Sequence, residues 1–178
     1  MLIFLQKIDL SILNFISDYL HQPFLDKAMP LITYLGDMGL IWFIISLALM
    51  LNKKYRYLGV MVITAVLVST ILGEGLLKNL VQRQRPFLLS PEMNILITKP
   101  LSYSFPSGHT ACAFAAAIVL SRGFKKYRLL IYTLAALIAF SRMYLYVHYP
   151  SDILGGIFLG IISAQITFII FKKIRINN

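Results

Sequence analysis

The 178-residue chain is 58% hydrophobic and only 13% charged, against a charged fraction of about 25% in soluble domains. That balance excludes an ordinary soluble enzyme and points to a membrane protein of one domain, residues 1–178, with no linker, low-complexity tract or internal repeat to divide it. The formal net charge of +10 does not indicate a nucleic-acid partner, because the basic residues stand in short clusters at the ends of apolar runs.

Residues 1–22 predict an amphipathic helix and lack the basic start and small-residue cleavage site of a secretory signal. Leu5, Ile8, Ile12, Ile16 and Tyr19 fall on one face; Lys7, Ser11, Asn14, Asp18 and His21 fall on the other. This pattern suits a helix lying in the membrane interface or one packed on the protein's own spans. Five apolar runs follow, near residues 29–51, 57–80, 108–121, 128–147 and 153–171. The expected architecture is therefore all-α: a polytopic bundle of about five transmembrane helices plus the interfacial N-terminal helix.

The links between the runs alternate in charge. Lys53, Lys54 and Arg56, then the four basic residues of 122–128, then Lys172, Lys173 and Arg175 form three clusters that the positive-inside rule places in the cytoplasm. Loops 81–107 and 148–152 then face outward, although Lys78, Arg83 and Arg85 make that side basic as well. Gly156 and Gly160 form a GxxxG that allows close helix approach. Glu74, four residues before Lys78, predicts an ion pair that neutralises the lysine, with a direct role in proton transfer as the alternative. Asp37 receives no role, and the single cysteine, Cys112, is expected to pack as a small apolar residue.

Three stretches carry chemistry. In Lys78–Pro86, a continuing helix would put Lys78 and Arg85 on nearly one face, where an ammonium and a guanidinium suit a tetrahedral phosphate. In Ser104–His109, Pro106 sits near a helix start, so Ser107 and Gly108 would present backbone N–H groups at the positive end of the helix dipole. His109 follows in the first turn as a candidate proton donor. In Ser141–Asp152, Arg142 adds a third cation. There His148 precedes Asp152 by four residues, so an aspartate could fix one imidazole nitrogen and leave the other free to attack. A metal site built from His109, His148 and Asp152 is the competing reading; converging cations argue against it, and no metal or other cofactor is expected.

Together the stretches resemble the type 2 phosphatidic acid phosphatase superfamily, with Lys-x6-Arg-Pro at 78–86, Pro-Ser-Gly-His at 106–109 and Ser-Arg-x5-His-x3-Asp at 141–152. The resemblance implies a metal-independent membrane lipid phosphatase working through a phosphohistidine. It makes His148 the nucleophile, Asp152 its orienting group and His109 the general acid. Lys78, Arg85, Ser107, Gly108 and Arg142 become the phosphate-binding residues. It also implies a lipid phosphate substrate in the bilayer and an active site on the outer face of a bacterial cytoplasmic membrane. Undecaprenyl diphosphate leads the substrates, with phosphatidylglycerol phosphate, phosphatidic acid, diacylglycerol pyrophosphate and lipid A phosphates as alternatives. A lipid phosphotransferase using the same site, and a non-catalytic lipid-phosphate binder, are the other classes. Residues 87–103, mixing Phe87, Leu88, Leu89, Ile95, Leu96 and Ile97 with Glu92 and Lys99, suit either an interfacial lid or an ordinary outer loop.

Overall fold

The computed structural model describes residues 2–90, 93 and 95–176. It is all-helical over those residues. In chain order the elements are α1 (Leu2–Leu20), α2 (Pro23–Gly36), α3 (Leu40–Leu51), α4 (Arg56–Thr70), α5 (Lys78–Val81), α6 (Pro86–Leu89), α7 (Gly108–Gly123), α8 (Arg128–Tyr144) and α9 (Pro150–Ile176). A π-helical segment, Ile71–Leu77, joins α4 to α5. Among the described residues, three helical runs are long and apolar enough to cross a membrane: Pro23–Leu51, Arg56–Leu89 and Pro150–Lys173. The other two expected spans, α7 and α8, are 16 and 17 residues long, short of the roughly 20 that a straight crossing needs.

Helix α7 is the centre of the bundle. Ala111, Ala113, Ala115, Ala116 and Ala117 are fully buried, so its short side chains let α4, α8 and α9 close around it on every side. The nearest approach is to α9. A methyl group at Gly156 would stand 2.7 Å from the Ser107 carbonyl oxygen, and one at Gly160 would stand 2.8 Å from that of Ala111. The GxxxG is thus an intramolecular seam, and it brings the start of α7 beside the start of α9. Cys112 lies buried within α7.

The N-terminal helix packs on α8 and α9, on a different stripe from the one its periodicity suggested. Asp9, Leu13 and Ile16 are buried, whereas Leu5, Ile8, Ile12 and Tyr19 stay exposed on the outer surface. A carboxylate on the packed face pulls the helix round, because Asp9 has partners there and Ile8 does not. His21 is structural: its ring stacks on Tyr144 at 4.3 Å between centroids and pairs with Asp26 at 2.9 Å.

Chain direction sorts the charges. Helices α4 and α9 run oppositely, which seats Tyr57 Oη against the Phe171 carbonyl at 3.0 Å, and Arg122 at the end of α7 lies over the Phe168 ring at 3.7 Å. The basic clusters around Arg56, Arg122 and Lys172 therefore gather at one end of the bundle. Lys78, His109, His148 and Asp152 gather at the other. Glu92 and the side chain of Arg175 lie outside the described residues.

Candidate active site

A cavity of about 290 Å³ opens at that second end, lined by Lys78, Arg85, His109, Arg142 and His148 together with Gly108, Glu74 and Asp37. The three cations form its buried floor, with Lys78 4%, Arg85 3% and Arg142 2% exposed. The carboxylates sit at its mouth; the side chains of Asp37 and Glu74 are 47% and 42% exposed. Three buried like charges repel one another and lose hydration, so such a floor is stabilised by an anion that enters it.

Lys78 and Arg85 converge by a bend rather than by helical register. The helix stops at Val81, where Gln82 takes a left-handed φ of 50° and its N–H caps the Lys78 carbonyl. Arg85 is extended (φ −78°, ψ 152°) ahead of Pro86, which opens α6. Both cations then meet on Ser102 Oγ, at 2.9 Å from Lys78 Nζ and 3.2 Å from Arg85 Nη2. The Arg85 guanidinium also donates to the carbonyls of Ser102 (2.7 Å) and Val147 (2.8 Å). Arg142, near the end of α8, donates to Thr33 Oγ1, and among the described residues its buried Nε has no partner. A buried donor without a partner on the cavity floor is suited to an acceptor oxygen of an anion that enters.

The helix start at Gly108 needs one correction. Ser107 is the cap, its Oγ accepting from Thr110 N–H, and Pro106 precedes the helix. The Ser107 N–H, expected to bind phosphate, instead donates to the Asp152 carbonyl at 3.1 Å, tying α7 to α9. The N–H groups of Gly108 and His109 in the first turn have no hydrogen-bond partner among the described residues. Anion binding by this terminus thus falls to positions 108 and 109. A methyl group at 108 would displace the Glu74 carboxylate, which pairs with Lys78 at 2.7 Å.

His148 lies between α8 and α9, held by its N–H on the Arg142 carbonyl. Its Nδ1 is 3.5 Å from Asp152 Oδ2 and 3.5 Å from Ser104 Oγ. Its Nε2 is 3.2 Å from Arg85 Nη1. A guanidinium can only donate, so this contact makes Nε2 the lone-pair nitrogen and places the proton on Nδ1, toward Asp152. Burial, followed by the charges of Arg85, Arg142 and Lys78, pushes the imidazole well below its ordinary pKa and keeps it neutral. Asp152 is fully buried and accepts from Ser104 Oγ, the Tyr149 N–H (2.9 Å) and Arg83 Nη1 (2.7 Å).

His109 faces the same cavity from α7, with its Nε2 2.7 Å from Asp37 Oδ1. Asp37 occupies the turn between α2 and α3, where Met38 and Gly39 have φ of 50° and 73°. A methyl group at Gly36 would be 2.8 Å from the His109 ring. Sequence reading assigned no part to Asp37, Ser102, Ser104 or Thr33, because their partners lie far away in the chain. Only the closeness of Ser102 and Ser104 to the Pro-Ser-Gly-His stretch was a signal. In the 87–103 loop, Ile97, Thr98 and Lys99 line the cavity, while Ile95, Leu96 and Ile97 pack on the buried cluster that includes Tyr144 and Tyr146.

The all-helical bundle and its cationic cavity define a membrane phosphate-handling fold, and residues 54–176 match the PAP2 superfamily. The chain belongs to that superfamily. It is similar to LpxE of Aquifex aeolicus, with a TM-score of 0.79 and 33% identity, covering 90% of this chain and 94% of that one. A PAP2-type phosphatidylglycerolphosphate phosphatase from Bacillus subtilis superposes with a TM-score of 0.75 at 27% identity, over 95% of this chain and 87% of that one. Among curated relatives, an undecaprenyl-diphosphatase of Sulfolobus acidocaldarius is 30% identical over 121 residues, 67% of this chain. The chain spans 58% of that relative's length.

Proposed function

We propose that the protein is a membrane lipid phosphatase that hydrolyses a lipid phosphate or diphosphate through a phosphohistidine. The observation that carries this reading is the convergence of Lys78, Arg85, Arg142, His109 and His148 on one cavity, with the lone pair of His148 Nε2 turned to a buried guanidinium. A phosphoryl group entering the cavity takes the donors of Arg85 and Arg142, the Lys78 ammonium and the first-turn N–H groups onto its oxygens. Nε2 then attacks phosphorus as the phosphorus–oxygen bond to the leaving group breaks, the lipid oxygen in a monoester and the bridging oxygen in a diphosphate. Asp152 and Ser104 hold the Nδ1 side of the ring. Asp37 accepts from His109 Nε2–H and stabilises the imidazolium form of His109, which carries a second proton on Nδ1 and gives it to the leaving oxygen. Water next attacks the phosphohistidine, the phosphorus–nitrogen bond breaks, and His109 recovers a proton from that water. The products are inorganic phosphate and the lipid with one phosphate fewer: an alcohol from a monoester, a lipid monophosphate from a diphosphate.

The three buried cations supply the charge stabilisation that a divalent ion gives in other phosphoryl-transfer sites, and their field repels such an ion. The basic clusters at the opposite end of the bundle support an outward-facing site in the cytoplasmic membrane. Undecaprenyl diphosphate is the favoured substrate, supported by the Sulfolobus relative. The Bacillus structure favours phosphatidylglycerol phosphate as the second reading. Phosphate release from a panel of detergent-solubilised lipids, with EDTA present, separates these substrates. Release from one lipid by the native chain and none by His148→Ala supports the reading. No release by the native chain, or release only with added metal, overturns it.

A further inference from the structure

The catalytic carboxylate is not held by its own helix alone. Arg83 places Nη1 2.7 Å from Asp152 Oδ1 and Nη2 2.7 Å from Asp9 Oδ2, so one guanidinium is forked between two carboxylates. Its plane lies 3.9 Å over the Tyr149 ring. Asp9 comes from α1, outside the family match at 54–176, and is 1% exposed. Its Oδ1 accepts from the Ser151 N–H at 2.9 Å, and its Oδ2 also accepts from Ser151 Oγ. One carboxylate therefore caps the start of α9 and anchors the arginine that grips Asp152. A buried aspartate on a helix that otherwise offers Leu13 and Ile16 to the bundle has no packing reason to be there.

We propose that Asp9 is a positioning residue of the phosphatase site, acting through Arg83 to fix the carboxylate of Asp152 behind His148. Asp152 divides its oxygens between two tasks: Oδ1 takes Arg83, and Oδ2 takes Ser104, the Tyr149 N–H and the His148 ring. With Asp9 in place, the second arm of Arg83 is occupied, so the guanidinium cannot turn to hold both oxygens of Asp152. Without Asp9, that arm is released, and a bidentate grip draws Oδ2 away from His148. The helix α1 thereby becomes part of the machinery rather than an accessory anchor. The inference rests on the phosphatase reading.

The test uses the full chain in detergent or vesicles, with the lipid phosphate identified by the panel. Asp9→Asn keeps the shape and one acceptor but removes the charge. The expected result is a kcat about tenfold or more lower, since displacements approaching 1 Å cost about a hundredfold in rate, with KM within about threefold. In an Asp152→Asn background the same change should produce no further loss, because the effect passes through Asp152. Unchanged kcat per folded enzyme, or an equal loss in both backgrounds, overturns the role of Asp9. Should Asp9→Asn not fold, Ser151→Ala removes the hydroxyl that accepts from Arg83 Nη1 at 2.6 Å and donates to Asp9 Oδ2. Lower kcat at constant KM supports the role there, and unchanged kcat overturns it. A native chain that releases no phosphate overturns the phosphatase reading itself.

Discussion

Gly156→Ala tests whether the seam between α7 and α9 sets the site. The new methyl carbon would stand 2.7 Å from the Ser107 carbonyl oxygen and 2.9 Å from Thr110 Cβ. Ordinary contact begins near 3.4 Å, so the helices must part by about 0.7 Å. The atom in the way is backbone, which cannot rotate aside. Parting the seam loosens the Ser107 N–H bond to the Asp152 carbonyl and carries His109 away from His148. Overpacking of this kind costs about 1–3 kcal/mol of stability, and a shift approaching 1 Å costs about a hundredfold in rate. The expected kcat is therefore about ten- to a hundredfold lower, with a lower melting temperature in detergent. Gly75→Ala is the control, because nothing lies within 4 Å of a methyl group at that position. Phosphate release and melting measured on both variants decide the matter. Wild-type kcat and melting temperature in Gly156→Ala would refute the reasoning.

Asp37→Asn weakens the hold on His109 Nε2; kcat should fall about tenfold or more for a lipid monoester and much less for an aryl phosphate, whose leaving group needs little protonation. Equal losses on both substrates would remove His109 from the general-acid role. His148 must be neutral to attack, and its pKa lies below the ordinary value of 6.5. As pH falls it thus stays unprotonated past 6.5, and the acid limb of kcat/KM assigned to the nucleophile should lie below that pH. Replacing Arg85 with glutamine removes one of the charges that depress it and should move that limb upward. Glu74→Gln frees Lys78 from its 2.7 Å pair. Inhibition by inorganic phosphate should then strengthen about two- to fivefold, the range for a partly exposed ion pair.

The local features of the site were readable in the sequence because chemistry and spacing coincide there. His148 and Asp152 are four residues apart across the start of α9, and Glu74 and Lys78 are four apart on a continuous helical path. The alanine-rich run of α7 and the GxxxG of α9 also announced a close seam, whose partner only the fold reveals. What escaped was long-range. Asp9 and Ser151 are 142 positions apart, and Asp37 and His109 are 72 apart. No periodicity encodes such pairs, and a buried carboxylate reads like any polar residue of an amphipathic helix. The convergence of Lys78 and Arg85 was expected for the wrong geometric reason. The left-handed turn at Gln82 breaks the helix, and Ser102 rather than helical register brings the two cations together. The Ser107 N–H was misjudged because the α9 carbonyl that takes it belongs to a helix docked from 45 residues downstream, at Asp152.

The central claim is that His148 Nε2 becomes bonded to phosphorus during turnover. The most direct test is rapid alkaline quenching of the enzyme during steady turnover of the identified lipid phosphate, followed by peptide mass spectrometry. The account predicts one phosphoryl group on the peptide that holds His148, labile to acid, and none in His148→Ala. Full phosphate release with no phosphorylated histidine at any quench time, or retention of turnover in His148→Ala, would contradict it.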